Sequence, residues 1–186
     1  MGYALSGKTA LVTGTNRGIG EAIVDALVAA GVNKVYAAAR TISTLDPLVE
    51  RYGSRVVPLQ LDVTNAAQIA AAAATATDVD LLVNNAGIVG FFGGEFTDPK
   101  WIEGGRQEME VNFLGTFAVT QAFAPVLARN GGGAIAKPQL GGLLRQLPDS
   151  RGVQRLEGRD ALAHPSHARD AAGAEYAGVW RVSWPD

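Results

Sequence analysis

Cysteine is absent from the 186 residues of this chain. Disulfides, thiolate catalysis and cysteine-ligated metals are therefore excluded. A charge excess is also lacking: 16 Lys and Arg face 18 Asp and Glu, for a net charge of −2. That balance does not point to nucleic acid as a partner. The N-terminus has no basic stretch followed by a long apolar run, and no segment reads as spanning a membrane, so the expectation is a soluble cytoplasmic protein. What the chain does have is 47% apolar residues. Disorder fails as a whole-chain description, and the length suits one domain with a real core.

The most informative stretch is Thr13-Gly14-Thr15-Asn16-Arg17-Gly18-Ile19-Gly20. It follows the apolar run Ala10-Leu11-Val12 and opens a helical pattern. Glycine at such a turn reaches backbone angles closed to other residues and lets a ligand approach the main chain. The helix it opens leaves unpaired N–H groups and a positive dipole end facing the turn. Strand, glycine turn and helix together form an anion site, and the usual anion is a dinucleotide pyrophosphate. The spacing here is G-x-x-x-G-x-G rather than the general G-x-G-x-x-G, and an ordinary glycine-rich turn is the competing reading.

The first 135 residues alternate between strand and helix signals. Strands are expected at Thr9 to Thr13, Val35 to Ala39, Val56 to Leu61 and Leu81 to Val83. Helices are expected at Gly18 to Ala30, Leu45 to Tyr52 and, capped by Thr64, through about Ala76. A further long helix starts near Asp98-Pro99 and runs to about Arg129, with Gly104-Gly105 blurring its beginning. Gly31 stands where a helix stop belongs, Pro47 suits a first turn, and Pro58 argues that the third strand lies near a sheet edge. Such alternation implies a doubly wound parallel sheet with right-handed crossovers, an α/β Rossmann-like architecture. Ligands on these sheets bind beyond the carboxyl ends of the strands, at the switch point.

Three loops at that end carry candidate residues. Arg40 closes the second strand, where an NAD site would place an acid for the ribose 2′-hydroxyl, and Arg17 lies in the glycine turn. Two guanidinium groups suit a 2′-phosphate, which favours NADP(H) over NAD(H). Solvated loop charge is the alternative for either arginine. Asp62, before Val63, could accept from an adenine amino group or share helix capping with Thr64. Asn84-Asn85-Ala86-Gly87 ends the fourth strand; its small residues admit a ligand to the backbone, and its amides can tie neighbouring strands together.

Together these segments resemble the short-chain dehydrogenase/reductase family over residues 1 to about 135. Thr13 to Gly20 matches its glycine motif, Asp62-Val63 its adenine contact and Asn84 to Gly87 its Asn-Asn-Ala-Gly motif. Val111-Asn112-Phe113-Leu114-Gly115 is similar to the helix segment that supplies the family's catalytic asparagine. The resemblance implies NAD(P)-dependent hydride transfer between a small-molecule alcohol and a carbonyl compound, in a homo-oligomer. It assigns cofactor contact to Gly14, Thr15, Asn16, Arg17, Gly18, Ile19, Gly20, Arg40, Asp62, Val63, Asn85, Ala86 and Gly87, and a catalytic role to Asn112, with no metal. It also implies a serine, a tyrosine as general acid/base, and a lysine four residues later that lowers the tyrosine pKa.

Those three residues are not in place. The tyrosines are Tyr3, Tyr36, Tyr52 and Tyr176, none with lysine four residues on, and the last lysine is Lys137. Gly133-Ala134-Ile135 still looks like the approach to the family's fifth strand. Beyond Ala136 the sequence changes: it contains six Arg, both histidines, and neither Ile nor Phe. The expectation is a Rossmann-like domain over 1–135, truncated after about the fourth strand and helix. Residues 136–186 are then an irregular, poorly packed tail in which no strand or amphipathic helix is legible. His164 and His167 are separated by Pro165, and no acidic cluster joins them as a metal site. Arg145, Arg151, Arg155 and Arg159 are offset by Asp149, Glu157 and Asp160.

A shifted reading frame would account for the change, and a genuine divergent tail, such as an interaction segment, is the alternative. Each hidden codon would take the last two bases of one printed codon and the first base of the next. Val153 followed by Gln154 gives TNC, a tyrosine codon when N is A. Continuing through Arg159, the code permits Tyr-Ser-Ala-Ser-Lys-Ala-Ala, a common form of the family's active-site motif. Leu140 followed by Gly permits the serine, at a spacing that matches the family's. The reading is an oxidoreductase by ancestry that is inactive as written. A non-catalytic nucleotide-binding or interaction protein is the alternative.

Overall fold

Strand β1 (Thr9–Thr13) lies in the middle of the sheet and is buried along its whole length. A computed structural model describes residues 3–90, 93–95, 97–138 and 179–182. The positions invoked for the shifted frame, both histidines and Tyr176 lie outside the described residues. In chain order the further elements are α1 (Gly18–Ala29), β2 (Lys34–Ala39), α2 (Asp46–Tyr52), β3 (Val56–Gln60) and α3 (Ala66–Thr75). They continue with β4 (Leu81–Val83), α4 (Lys100–Glu108), α5 (Thr116–Arg129), β5 (Gly133–Ala136) and β6 (Val179–Val182). The strand order is β3-β2-β1-β4-β5-β6. Pairings β1·β2, β1·β4, β2·β3 and β4·β5 are parallel.

Side-chain alternation gives each central strand a face in each of two cores. On β1, Ala10 and Val12 point into one core and Leu11 into the other. On β4, Leu81 and Val83 join the first core and Leu82 the second. Strands buried on both faces read as continuous apolar runs, as these do. The first core is closed by Ile23, Val24, Leu27 and Val28 of α1 with Leu48 of α2. The second is closed by Ile69 and Ala72 of α3 with Val119, Phe123, Val126 and Leu127 of α5. Burying side chains of this size contributes about 1.5–3 kcal/mol each.

Local signals account for most boundaries. Gly31 takes φ 84° after α1, and Gly53 takes φ 56° after α2. The sheet-edge position argued from Pro58 is observed, since β3 is the outermost strand on its side. The cap of α3 differs from expectation: Asn65, not Thr64, accepts from the Gln68 amide, at 3.1 Å. Thr64 instead turns back to Asp62. Gly104 and Gly105 lie inside α4, so the long helix begins at Lys100 despite them. Between α4 and α5 the backbone widens into a π-helix, Met109–Gly115.

From Lys100 to Arg129 the helix is long and apolar enough, by length and composition alone, to cross a membrane. Its apolar content has a different use here: Val119, Phe123, Val126 and Leu127 are buried in the second core. The fifth strand, signalled by Gly133-Ala134-Ile135, pairs with β4 and covers its edge. Beyond it, Val179–Val182 forms a strand in a stretch with no element legible from sequence. Its β-branched and aromatic residues suit a strand, but four residues are too few for periodicity to register. The described residues from Tyr3 to Ala136 and from Trp180 to Val182 belong to one unit.

Candidate cofactor site

The chain runs outward from β1 to β2 and β3, then returns to β4 on the opposite side of β1. The reversal leaves a crevice at the carboxyl ends of β1 and β4, where such folds bind ligands. Two loops border it: the glycine turn after β1, and residues 84–90 after β4.

The glycine turn is set by close approach. Gly14 (φ 69°) leaves room for Ala86, whose Cα would stand 2.9 Å from a Cβ placed there. A Cβ on Gly20 would run into the Gly14 carbonyl and the Asn85 amide. Gly18 (φ 60°) has no neighbour within 4 Å of the corresponding point. It opens α1 in free space, and the N-cap residue Arg17 supplies no side-chain hydrogen bond to the first turn. First-turn N–H groups with no side-chain cap, at the positive end of a 12-residue helix, form a donor set for an anion. Asn16, Arg17 and Ile19 are exposed around it, and Ile19 offers an apolar face. Thr15 is fully buried: its N–H and hydroxyl both reach the Ala38 carbonyl, at 3.1 and 3.3 Å. It braces the turn.

The second loop is tied to the first. Asn85 Nδ2 donates to the Thr13 and Gly14 carbonyls at 2.9 and 3.0 Å, and the Ala86 amide donates to Thr13 Oγ1 at 2.9 Å. Asn84 is buried, and its Nδ2 donates to Thr120 Oγ1 at 2.9 Å. Gly87 is exposed at the crevice. The loop's far end meets the long helix, where Asn112 donates from Nδ2 to the Ile88 carbonyl and accepts at Oδ1 from the Ile88 amide.

On the β2–β3 side, Arg40 is exposed and its charge reaches Asp62. The Thr64 amide, the Thr64 hydroxyl and the Arg40 charge hold the Asp62 carboxyl below its usual range, against the opposing effect of burial. Thr64 occupies Oδ1 of Asp62 at 2.9 and 2.7 Å. Val63 is buried and lies against Gly115, where a Cβ would stand 2.8 Å from its side chain.

These groups fit a dinucleotide: a donor set for the pyrophosphate, exposed arginines at the glycine turn and just after β2, and an approachable backbone. A proton-transfer couple is a different matter. Among the described tyrosines, Tyr36 touches a lysine, with Lys34 Nζ 3.1 Å from its hydroxyl. That pair lies toward the amino end of β2 and donates onto Asp78, away from the crevice. Sequence reasoning missed Ile88 and Glu108 as partners in the site, because helix-to-loop contacts leave no periodic signal.

A sequence profile for short chain dehydrogenase matches residues 8–137. The chain belongs to the short-chain dehydrogenase family. It is 36% identical over 137 residues to the short chain dehydrogenase tazN of Aspergillus terreus, covering 67% of this chain and 29% of that one. It is 33% identical over 138 residues to the 2-dehydro-3-deoxy-D-gluconate 5-dehydrogenase of Bacillus subtilis, covering 72% of this chain and 53% of that one. A short-chain dehydrogenase from Burkholderia cenocepacia, solved in complex with NADP, superposes with TM-score 0.66 at 42% identity. That likeness covers 78% of this chain and 58% of the other. The 3-ketoacyl-(acyl-carrier-protein) reductase of Brucella melitensis, complexed with NADH, gives TM-score 0.60 at 29% identity, over 68% and 53% of the two chains. This short-chain dehydrogenase chain thus spans about half or less of the length of these curated relatives.

Proposed function

We propose that this chain is the dinucleotide-binding portion of a short-chain oxidoreductase, that it prefers NADP(H) to NAD(H), and that it performs no hydride transfer as it stands. The uncapped N-terminus of α1 at the switch-point crevice carries the reading. Gly14, Thr15, Asn16, Arg17, Gly18, Ile19 and Gly20 form the pyrophosphate cradle. Arg17 and Arg40 take the 2′-phosphate, Asp62 and Val63 border the adenine, and Asn85, Ala86 and Gly87 back the crevice. Asn112 stands toward the nicotinamide end. The bound nicotinamide would donate or accept the hydride exchanged between an alcohol and a carbonyl substrate. Relatives solved with NADP and with NADH support the cofactor class.

The expected absence of turnover rests on the sequence lacking a tyrosine with lysine four residues on, and on the tyrosine–lysine contact among the described residues, Tyr36 with Lys34, lying away from the crevice. A frame shift near Ile135 supplies the reason for that absence, with 1–135 as the cofactor domain and 136–186 as the displaced tail. The gene's nucleotide sequence across this region decides it: an alternate frame without Tyr and Lys codons over Val153 to Gly158 removes the explanation.

The functional test is fluorescence titration of the purified chain with NADPH and NADH, alongside assays of carbonyl reduction and alcohol oxidation. NADPH binding tighter than NADH, without turnover, is the expected result. Measurable turnover overturns the proposal. A nucleotide-binding protein without catalysis is the second reading, favoured by an uncapped α1 N-terminus with no tyrosine–lysine couple beside it among the described residues. Tight NADPH binding to a stable, protease-resistant chain favours that sensor, and a protease-sensitive product favours a broken enzyme.

A further inference from the structure

Glu108 ends α4, immediately before the backbone widens into the π-helix, and its Oε1 accepts from the Gly90 amide at 2.7 Å. One turn later Asn112 holds both the amide and the carbonyl of Ile88. Gly90 has no Cβ, and one placed there would run into the Gly104 carbonyl, so the loop backbone lies directly on α4. The 84–90 loop is thus fastened at both ends: Asn85 and Ala86 tie it to the glycine turn, and Glu108, Asn112 and Gly104 hold its far end. A backbone N–H on a carboxylate is a charge-assisted bond, stronger than its neutral counterpart. A π-helical turn inside an α-helix frequently marks a functional site.

We propose that Glu108 is a positioning residue for the second half of the dinucleotide, acting through the Ile88–Gly90 end of this loop. The proposal rests on the cofactor reading above. In that reading the adenine half lies over the β1–β3 side, with Arg40 and Asp62. The remaining half extends across the carboxyl end of β4, where the loop emerges. Glu108 itself touches no cofactor. It fixes the height and tilt of the backbone on which the second half rests.

The test compares NADPH with adenosine 2′,5′-bisphosphate, which carries only the adenine half and its phosphates. Glu108→Ala should weaken NADPH about fivefold to tenfold, as the loss of one positioning hydrogen bond would. The bisphosphate should bind as it does to the wild type. Glu108→Gln keeps an acceptor oxygen and should restore NADPH binding. Hydrogen exchange at the Gly90 amide should accelerate in Glu108→Ala and stay slow in Glu108→Gln. Equal weakening of both ligands, or of neither, overturns the positioning role, as does failure of Glu108→Gln to restore binding. A wild-type chain that binds neither ligand overturns the cofactor reading itself, and this role with it.

Discussion

Asn112 and Ile88 exchange two hydrogen bonds: the amide nitrogen of Asn112 donates to the Ile88 carbonyl at 2.7 Å, and its oxygen accepts from the Ile88 amide at 2.8 Å. One side chain therefore satisfies both polar groups of a loop residue outside any strand. Asn112→Leu leaves both without partners and should lower stability by about 2–3 kcal/mol, measured by chemical denaturation. Asn112→Asp keeps the acceptor but turns a carboxylate toward the Ile88 carbonyl. Its deficit should shrink as pH falls toward the ordinary carboxylate value of about 4, where a protonated oxygen can donate again. A deficit independent of pH would mean that the donated bond carries little weight.

Gly20 and Gly18 make a matched pair. Gly20→Ala drives a Cβ into the Gly14 carbonyl and the Asn85 amide. It should abolish nucleotide binding and destabilise the fold by about 2 kcal/mol or more, the range of an overpacked core. Gly18→Ala meets open space but keeps φ 60°, so the loss should be about 1–2 kcal/mol. Thermal melts of the two variants check the order, and equal losses would contradict the close approach.

Arg40 should govern the choice between cofactors. Arg40→Asp removes the guanidinium from the exposed end of β2 and supplies an acceptor for a ribose hydroxyl. NADPH affinity should fall about tenfold or more, with NADH gaining relative to it. Paired titrations measure the ratio, and an unchanged ratio leaves Arg40 as a solvated charge.

Asp78 sets an acid-side dependence at the other end of the sheet. Burial pushes its carboxyl up, while hydrogen bonds from Lys34 and Tyr36 and the Lys34 charge pull it down, and the pull prevails. With the folded value depressed, the stabilisation is present above the unfolded pKa of about 3.9 and is lost as pH falls through the lower folded value. The Asp78 side chain is 48% exposed, so solvent screening keeps the effect under about 1 kcal/mol. Asp78→Asn should lower stability near neutrality by under about 1 kcal/mol and flatten the profile in that acid window, the two proteins converging below it.

Several features were legible because their causes are local. Gly31 and Gly53 stop helices through their own backbone angles, and Pro58 marks an edge strand because it cannot donate in the middle of a sheet. The Thr64 cap was misplaced by one residue, since Asn65 is an equally good acceptor and only the chain direction chose between them. Glu108 and Ile88 left no trace in the sequence. Nothing about a glutamate within a helix signals that it faces a loop amide eighteen positions earlier.

The sequence alone determined the alternation of strand and helix and the glycine turn that opens α1. Each depends on backbone geometry or side-chain chemistry within a few neighbouring positions. Tertiary structure alone decided that Asn85 holds the glycine turn and that Asn112 holds Ile88. It also decided that Val179–Val182 joins the sheet. Those contacts link residues from 24 to 72 positions apart in the side-chain cases, and only the packed sheet brings such residues within hydrogen-bonding reach.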